Sequence, residues 1–167
     1  QKGDPVFLGK KDWATGRNSG FCLFANPMPM WFNNRNIIGL NLANTDKHRV
    51  DVKQIFLKAN DWWFCAAAVD RKGNATLFAG SPDGRLFFVS ESLINENVGK
   101  SFDRMDGSID SPLPWNIGQD GTGKYSSQLN ADIDEFRIWN RALNLNEIEF
   151  LFKNNPTNPR DNTSQVR

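Results

Sequence analysis

The sequence is short of the residues that most often carry catalysis or bind metals, with one histidine and two cysteines in 167 residues. A lone histidine excludes a zinc site built from a histidine pair. His48 lies in a polar run, residues 44–49 (NTDKHR), which is typical of a solvated loop rather than of a catalytic base. Cys22 and Cys65 each lie in an apolar run, so we expect buried free thiols, with a disulfide between them as the alternative.

The sequence also lacks an excess of charge of one sign and any long apolar run. Twenty basic and nineteen acidic residues leave a formal net charge of +1, so we expect no surface for nucleic acid or for an anionic membrane. No apolar run approaches the roughly 20 residues that a membrane helix needs. The first residues do not form a signal peptide. Nucleic-acid partners and membrane insertion are therefore not expected.

Short apolar segments recur along the chain, with Gly, Asn, Asp and Pro between them. This pattern is typical of an all-β sandwich rather than of alternating strands and helices. Turn residues at 70–74 (DRKGN) separate two of the segments, which we expect to pair as a β-hairpin. The tryptophans within the segments are expected in the core. The segments are residues 5–8, 20–25, 36–42, 50–57, 62–69, 75–79, 86–89, 115–118 and 133–139.

One helix is predicted near the C-terminal end. Asn144 can cap its start, and Glu147 stands three residues later, as in a capping box. Apolar residues then follow at helical spacing, which predicts a short helix packed on the sandwich. Residues 154–167 are polar and rich in Asn and Pro, so they are interpreted as a tail or linker after a domain of residues 1–153.

The segment 133–139 breaks its own alternation. Ile133 belongs to one face of a regular strand, whereas Phe136 and Ile138 belong to the other. A β-bulge near Asp134 and Glu135 would reconcile them. Bulges of this kind often mark a site or end a pairing.

Several oxygen donors lie in glycine- and asparagine-rich loops. Carboxylates, amides and backbone carbonyls are the ligands that calcium takes, usually six to eight of them. The sequence therefore indicates a possible calcium site, while the alternative, in which each residue only shapes a turn, stays open. The candidate ligands are Asp12, Asn18, Gln119, Asp120 and Asp134.

No residue pattern predicts an enzyme. Asp132 and Asp134 would share a face of a regular strand, and two carboxylates are the minimum for glycoside hydrolysis. The expected bulge would separate them, and residues 132–136 (DIDEF) do not form the Glu-x-Asp-x-Glu array of sandwich-shaped glucanases. We therefore expect no catalysis, with glycoside hydrolase as the least favoured alternative.

Two stretches carry a resemblance to a known family. Residues 115–123 (WNIGQDGTG) and 131–143 (ADIDEFRIWNRAL) resemble the end of laminin G-like domains, which are concanavalin A-like jelly rolls related in architecture to pentraxins. Residues 61–78 resemble the family's central hairpin, and residues 11–21 resemble a bacterial subgroup. The resemblance covers residues 5–153 with gaps and is poor over 81–114. It implies an all-β, two-sheet antiparallel jelly-roll sandwich with one short C-terminal helix.

The resemblance also implies strands before the start of this chain, one of them beside the closing strand. The expectation is that these strands were cleaved or not captured, or that another chain donates a strand beside Ile133–Trp139. Gln119 and Asp120 stand where pentraxins carry a calcium loop with more acidic and amide groups. A single structural calcium with Asp134 as a ligand is therefore the implied cofactor.

These features together favour a secreted or cell-surface recognition module that binds carbohydrate. Exposed indoles can stack on sugar rings while amides bond to the hydroxyls. The candidate ligand-binding residues are Trp13, Trp31, Asn33, Asn34 and Arg35. The alternative is a structural or adhesion domain that contacts another protein in a larger surface assembly.

Overall fold

Eight β-strands and one α-helix form in residues 3–27, 35–94 and 105–154, the part of the chain that the computed structural model describes. Each of the first eight apolar segments contributes a strand, because alternation of apolar and polar residues suits a sheet with one buried face. The elements are β1 (Val6–Gly9), β2 (Gly20–Pro27), β3 (Arg35–Ala43), β4 (Arg49–Lys58), β5 (Phe64–Val69), β6 (Asn74–Gly80), β7 (Leu86–Ser92), β8 (Asn116–Ile117) and α1 (Leu145–Lys153).

The strands form two antiparallel sheets. One sheet has five strands in the order β4-β3-β2-β1-β8, and the other has three in the order β5-β6-β7. The predicted hairpin is confirmed, because β5 pairs with β6 from Phe64 opposite Gly80 to Val69 opposite Ala75. The expectation of an all-β fold with two antiparallel sheets and one short helix is therefore confirmed.

The main core lies between the two sheets. Ile38, Leu40 and Leu42 alternate along β3 and are almost fully buried, as are Leu77 and Ala79 of β6. Burying one such Leu or Ile side chain contributes about 1.5–3 kcal/mol. The period of two along each strand thus decides which face of each sheet turns inward.

A second cluster covers the outer face of the five-stranded sheet. Val6, Trp13, Cys22 and Phe24 pack there, and both cysteines are free thiols. A Cβ on Gly39 would lie 2.5 Å from the ring of Phe24, so this position needs glycine. Burial raises the pKa of the Cys22 thiol well above its usual range. Cys22 is therefore buried, as the sequence predicts, whereas Cys65 is only partly buried.

The predicted helix and its cap are confirmed. The side chain of Asn144 accepts a hydrogen bond from the backbone N–H of Glu147, and the carboxylate of Glu147 accepts one from the N–H of Asn144. The ring of Phe152 lies 5.6 Å from that of Phe64 and occupies the space that a Cβ on Gly80 would need. Helix α1 thus covers part of the outer face of the three-stranded sheet. No helix among the described residues is long and apolar enough to cross a membrane.

The predicted strand over residues 133–139 is wrong. These residues belong to neither sheet, and Glu135 has a φ of 52°, in the left-handed region. The backbone therefore bends where the sequence predicts a bulge, but a bulge is a feature of a paired ladder and none is present here. An alternating pattern gives a segment the capacity to form a strand, whereas pairing needs a neighbour.

Three of the tryptophans expected in the core are instead exposed: Trp62, Trp115 and Trp139. Trp62 precedes β5 and Trp115 precedes β8, so both lie just outside the regular strands. Trp63 is partly buried and packs against the main core. An indole at the end of a strand can therefore lie outside the core even where its neighbour lies within it.

Replacing Phe152 by alanine tests the docking of α1. The Phe152→Ala variant should lose about 3 kcal/mol of unfolding free energy, because it leaves a cavity beside Phe64 and Gly80. Phe150→Ala is the matched control, since Phe150 is 66% exposed on the same helix and its replacement should change stability by less than about 0.5 kcal/mol. Urea unfolding followed by circular dichroism measures both. Equal losses in the two variants would show that α1 is not docked through Phe152.

Candidate functional site

The predicted carbohydrate-binding residues are not assembled into one site by the described part of the chain. Trp13 is only 8% exposed, and its ring packs 5.0 Å from that of Phe24. A ring buried in this way presents little surface for stacking on a sugar. Trp31, Asn33 and Asn34 lie outside the described residues. Arg35 is the first residue of β3.

The predicted metal ligands Gln119 and Asp120 organise a loop through internal hydrogen bonds. Asp120 is 1% exposed. One of its carboxylate oxygens accepts from the backbone N–H of Trp13 at 2.9 Å, and the other accepts from the N–H and hydroxyl of Thr122 at 2.9 and 2.6 Å. The Gln119 side chain bonds to the backbone of Asp120 and Tyr125. Asp120 thus ties residues 118–125 to the segment after β1.

The other predicted ligands also bond locally. Asn18 donates to the carbonyl of Asp12, and the Asp12 carboxylate accepts from the N–H of Ala14. Asp134 is exposed, and its carboxylate accepts from the N–H of Glu135. Among the described residues, no group of three or more His, Cys, Asp or Glu side chains is arranged to hold a metal ion. Calcium therefore remains an expectation from the sequence alone.

We call residues 131–143 the open segment: residues 131–141 are exposed, whereas Ala142 and Leu143 are partly buried against the cluster under α1. No backbone–backbone hydrogen bond joins it to the rest of the described chain. Four of its large apolar side chains are exposed to solvent: Ile133 by 41%, Phe136 by 45%, Ile138 by 55% and Trp139 by 42%. Exposed apolar side chains beside unpaired backbone groups are characteristic of a surface that binds another chain.

A groove of about 380 Å³ lies where the open segment meets α1. Trp139 forms one side, and Phe150 of the helix lines it as well. Arg141 donates two hydrogen bonds to the carboxylate of Glu147, at 2.8 and 2.6 Å. Their contact lowers the pKa of Glu147 to about 2 and raises that of Arg141. The groove therefore combines an exposed indole with fixed polar groups.

A buried polar cluster lies on the outer face of the five-stranded sheet, where the sequence predicted none. Lys11 and Asn41 are both 0% exposed. The ammonium nitrogen Nζ of Lys11 donates to Oδ1 of Asn41 at 2.6 Å, and Nδ2 of Asn41 donates to Oδ1 of Asp51 at 2.8 Å. The only hint in the sequence is that Asn41 and Asp51 occupy the face opposite the apolar residues of β3 and β4.

Comparison of the chain with protein-family models, with curated proteins and with solved structures finds no match.

Replacing Asp120 by asparagine tests its role as an organiser of the loop. Asp120→Asn should reduce the free energy of unfolding by about 2 kcal/mol, because an amide nitrogen would face buried N–H donors. Asp134→Asn is the control and should change it by less than about 0.5 kcal/mol, since Asp134 is exposed. Thermal unfolding with calcium and with a chelator measures both variants. A loss confined to the calcium-loaded protein, and shared by both variants, would instead assign them to one ion site.

Proposed function

We propose that this chain is a non-catalytic assembly module of the laminin G-like, jelly-roll kind, working outside the cell or at its surface. It contacts a second polypeptide through the open segment. The observation that carries the proposal is the exposure of Ile133, Phe136, Ile138 and Trp139 on backbone without a strand partner among the described residues. The two antiparallel sheets support the sandwich, while the jelly-roll connectivity is part of the proposal.

Strand addition is the contact that suits such a segment. An added strand bonds to the N–H and C=O groups of the segment, and Glu135, now at a φ of 52°, takes an extended conformation when the strands pair. The exposed surface continues onto α1, where Leu145 and Phe150 are also exposed. The partner strand would therefore lie along residues 131–143 and reach the start of the helix.

The partner that fits best is a second copy of this chain. An antiparallel pair related by a twofold axis at Phe136 places Ile133 opposite Trp139 of the other copy. The same register places the acidic Glu135 opposite the basic Arg137. Within one chain these two residues already form an ion pair at 2.5 Å, and the pairing allows them to exchange partners between copies. The register thus pairs Ile133 with Trp139, Phe136 with its own copy and Glu135 with Arg137, while Ile138 lies opposite Asp134.

Sedimentation equilibrium tests this pairing. The chain should form a dimer of twice 18.9 kDa, and Phe136→Asp should raise the dimer dissociation constant at least tenfold, because it puts a carboxylate at the centre of an apolar contact. Phe88→Asp is the matched control, since Phe88 is 56% exposed, against 45% for Phe136, but lies on β7. It should leave the dimer intact.

Two results would count against the pairing. One is a chain that stays monomeric at concentrations of about 100 μM, the upper range for weak specific dimers. The other is a dimer that Phe136→Asp leaves unchanged while Phe88→Asp weakens it, which would move the interface to the three-stranded sheet.

Carbohydrate binding is the second candidate, and the groove beside α1 favours it. Trp139 offers an exposed indole face, and Arg141, Asn146 and Glu147 add polar groups along the same groove. An aromatic platform flanked by hydrogen-bonding groups suits a sugar ring with its apolar face and hydroxyl edge. This site differs from the one that the sequence suggested around Trp13 and Trp31.

A glycan array followed by calorimetry tests the second candidate. Trp139→Ala should abolish binding of any glycan that the chain recognises, because stacking on the indole contributes most of the contact area. Trp62→Ala is the control, since Trp62 is exposed at the start of β5 and outside the groove. Binding that survives Trp139→Ala, or no binding on the array, would remove the groove as a sugar site.

A further inference from the structure

Three strands bring a row of functional groups together on the outer face of the five-stranded sheet. Asn41 of β3 pairs with Cys22 of β2 on one side and with Asp51 of β4 on the other. Lys11, in the segment that follows β1, extends over this row and reaches Asn41. The segment also carries Trp13, whose ring centre lies 5.7 Å from the Lys11 ammonium nitrogen. The amine of Lys11, the amide of Asn41 and the carboxylate of Asp51 therefore lie side by side in one covered site.

The amide of Asn41 is held at both of its polar atoms. Its Oδ1 accepts from Nζ of Lys11 at 2.6 Å, and its Nδ2 donates to Oδ1 of Asp51 at 2.8 Å. Nε of Arg49 donates to Oδ2 of Asp51 at 3.1 Å and fixes that carboxylate. The amine thus lies against the carbonyl of Asn41, and the carboxylate lies against the nitrogen that would leave.

Burial makes the Lys11 amine reactive near neutral pH. Removal from water lowers the pKa of Lys11 to about 8, and the positive charge of Arg49 acts in the same direction. At pH 7 roughly one-tenth of such amines are unprotonated and can act as nucleophiles. The charged and titratable groups that act on this amine are Cys22, Arg49, Asp51 and Asp12.

We propose that Lys11 and Asn41 join through an intramolecular isopeptide bond, formed by the folded chain without another enzyme. Nζ of Lys11 attacks the side-chain carbonyl carbon Cγ of Asn41, a new N–C bond forms, and the Cγ–Nδ2 bond breaks. Attack brings both nitrogens onto Cγ, and Asp51, whose Oδ1 already bonds Nδ2 at 2.8 Å, relays the proton from the attacking nitrogen to Nδ2, which departs as ammonia. One amine and one primary amide thereby become one secondary amide and one ammonia, with no oxidation or reduction.

The fixed position of the Lys11 amine offsets the low reactivity of an amide carbonyl toward nucleophiles. Amides react slowly with amines in water, but fixed neighbours can reach effective concentrations of 10⁵ M or more, by an order-of-magnitude estimate. Loss of ammonia to the solvent makes the step irreversible in practice. The bond fixes the segment after β1 to β3 and so closes a covalent loop from residue 11 to residue 41. It would stabilise the sheet by the same restriction of the unfolded chain that a disulfide imposes.

Intact mass spectrometry of the purified full-length chain tests the proposal. The folded chain should weigh about 17 Da less than its sequence, the mass of one ammonia. Tandem mass spectrometry after trypsin should find a branched peptide that joins Lys11 to Asn41. Because cyclisation of a glutamine at the start of a polypeptide also releases ammonia, the branched peptide is the deciding observation.

Variants with a matched control distinguish a covalent Lys11–Asn41 bond from non-covalent packing of the same two residues. Lys11→Met and Asp51→Asn should each show no branched peptide, while Lys10→Met should retain it, since Lys10 bonds instead to Asp110 and to the carbonyl of Ser111. Melting temperatures should fall by roughly 10 °C in folded Asp51→Asn. A folded wild-type chain without the branched peptide, even after days at pH 9, would overturn the proposal. A branched peptide that persists in Asp51→Asn would show that Asp51 takes no part in forming the bond.

Discussion

Packing of β3 and β4 against β6 is the interaction on which the rest of the structure depends. The side chains of Ile38, Leu40 and Leu42 share one buried cluster with Leu77 and Ala79 between the sheets. This contact fixes which face of each strand turns inward. It therefore also fixes the outer faces, where one sheet carries the Lys11 cluster and the other receives α1.

The two sheets differ in width, and this difference locates the exposed surfaces. A five-stranded sheet faces a three-stranded one, and β5 forms an edge of the smaller sheet among the described residues. Helix α1 covers part of the outer face of the smaller sheet through Ile148 and Phe152. The open segment precedes this helix and leaves Ile133, Phe136, Ile138 and Trp139 exposed to solvent. An edge that carries apolar residues is a hazard unless a partner covers it, which is the physical ground for an assembly role.

Local patterns in the sequence predicted most of the regular structure. Alternation identified the strands from β1 to β8, and Asn144 with Glu147 identified the start of α1. These features depend on residues a few positions apart, so they can be recognised from the sequence alone. The segment 133–139 failed because strand pairing depends on a distant neighbour that no local pattern describes.

The functional residues were harder to predict for the same reason. A carboxylate such as that of Asp120 is a common calcium ligand. In the structure it instead accepts a hydrogen bond from the N–H of Trp13, which lies more than one hundred positions away in the chain. From the sequence, Lys11 would be expected at the protein surface, since lysine is rarely fully buried. Its contact with Asn41 exists only because β1, β2 and β3 are neighbours in the sheet. Burial and partners of polar residues follow from topology rather than from residue type.

An assembly module with an internal covalent brace would suit a protein that bears mechanical or thermal load at a surface. The proposed brace and the proposed contact involve different residues, so each can be altered without the other. Hydrogen–deuterium exchange of the amides of residues 131–143, followed across protein concentration, tests the proposed contact most directly. Strand addition between copies predicts that these amides become protected as concentration rises. Exchange that stays fast and independent of concentration would contradict it.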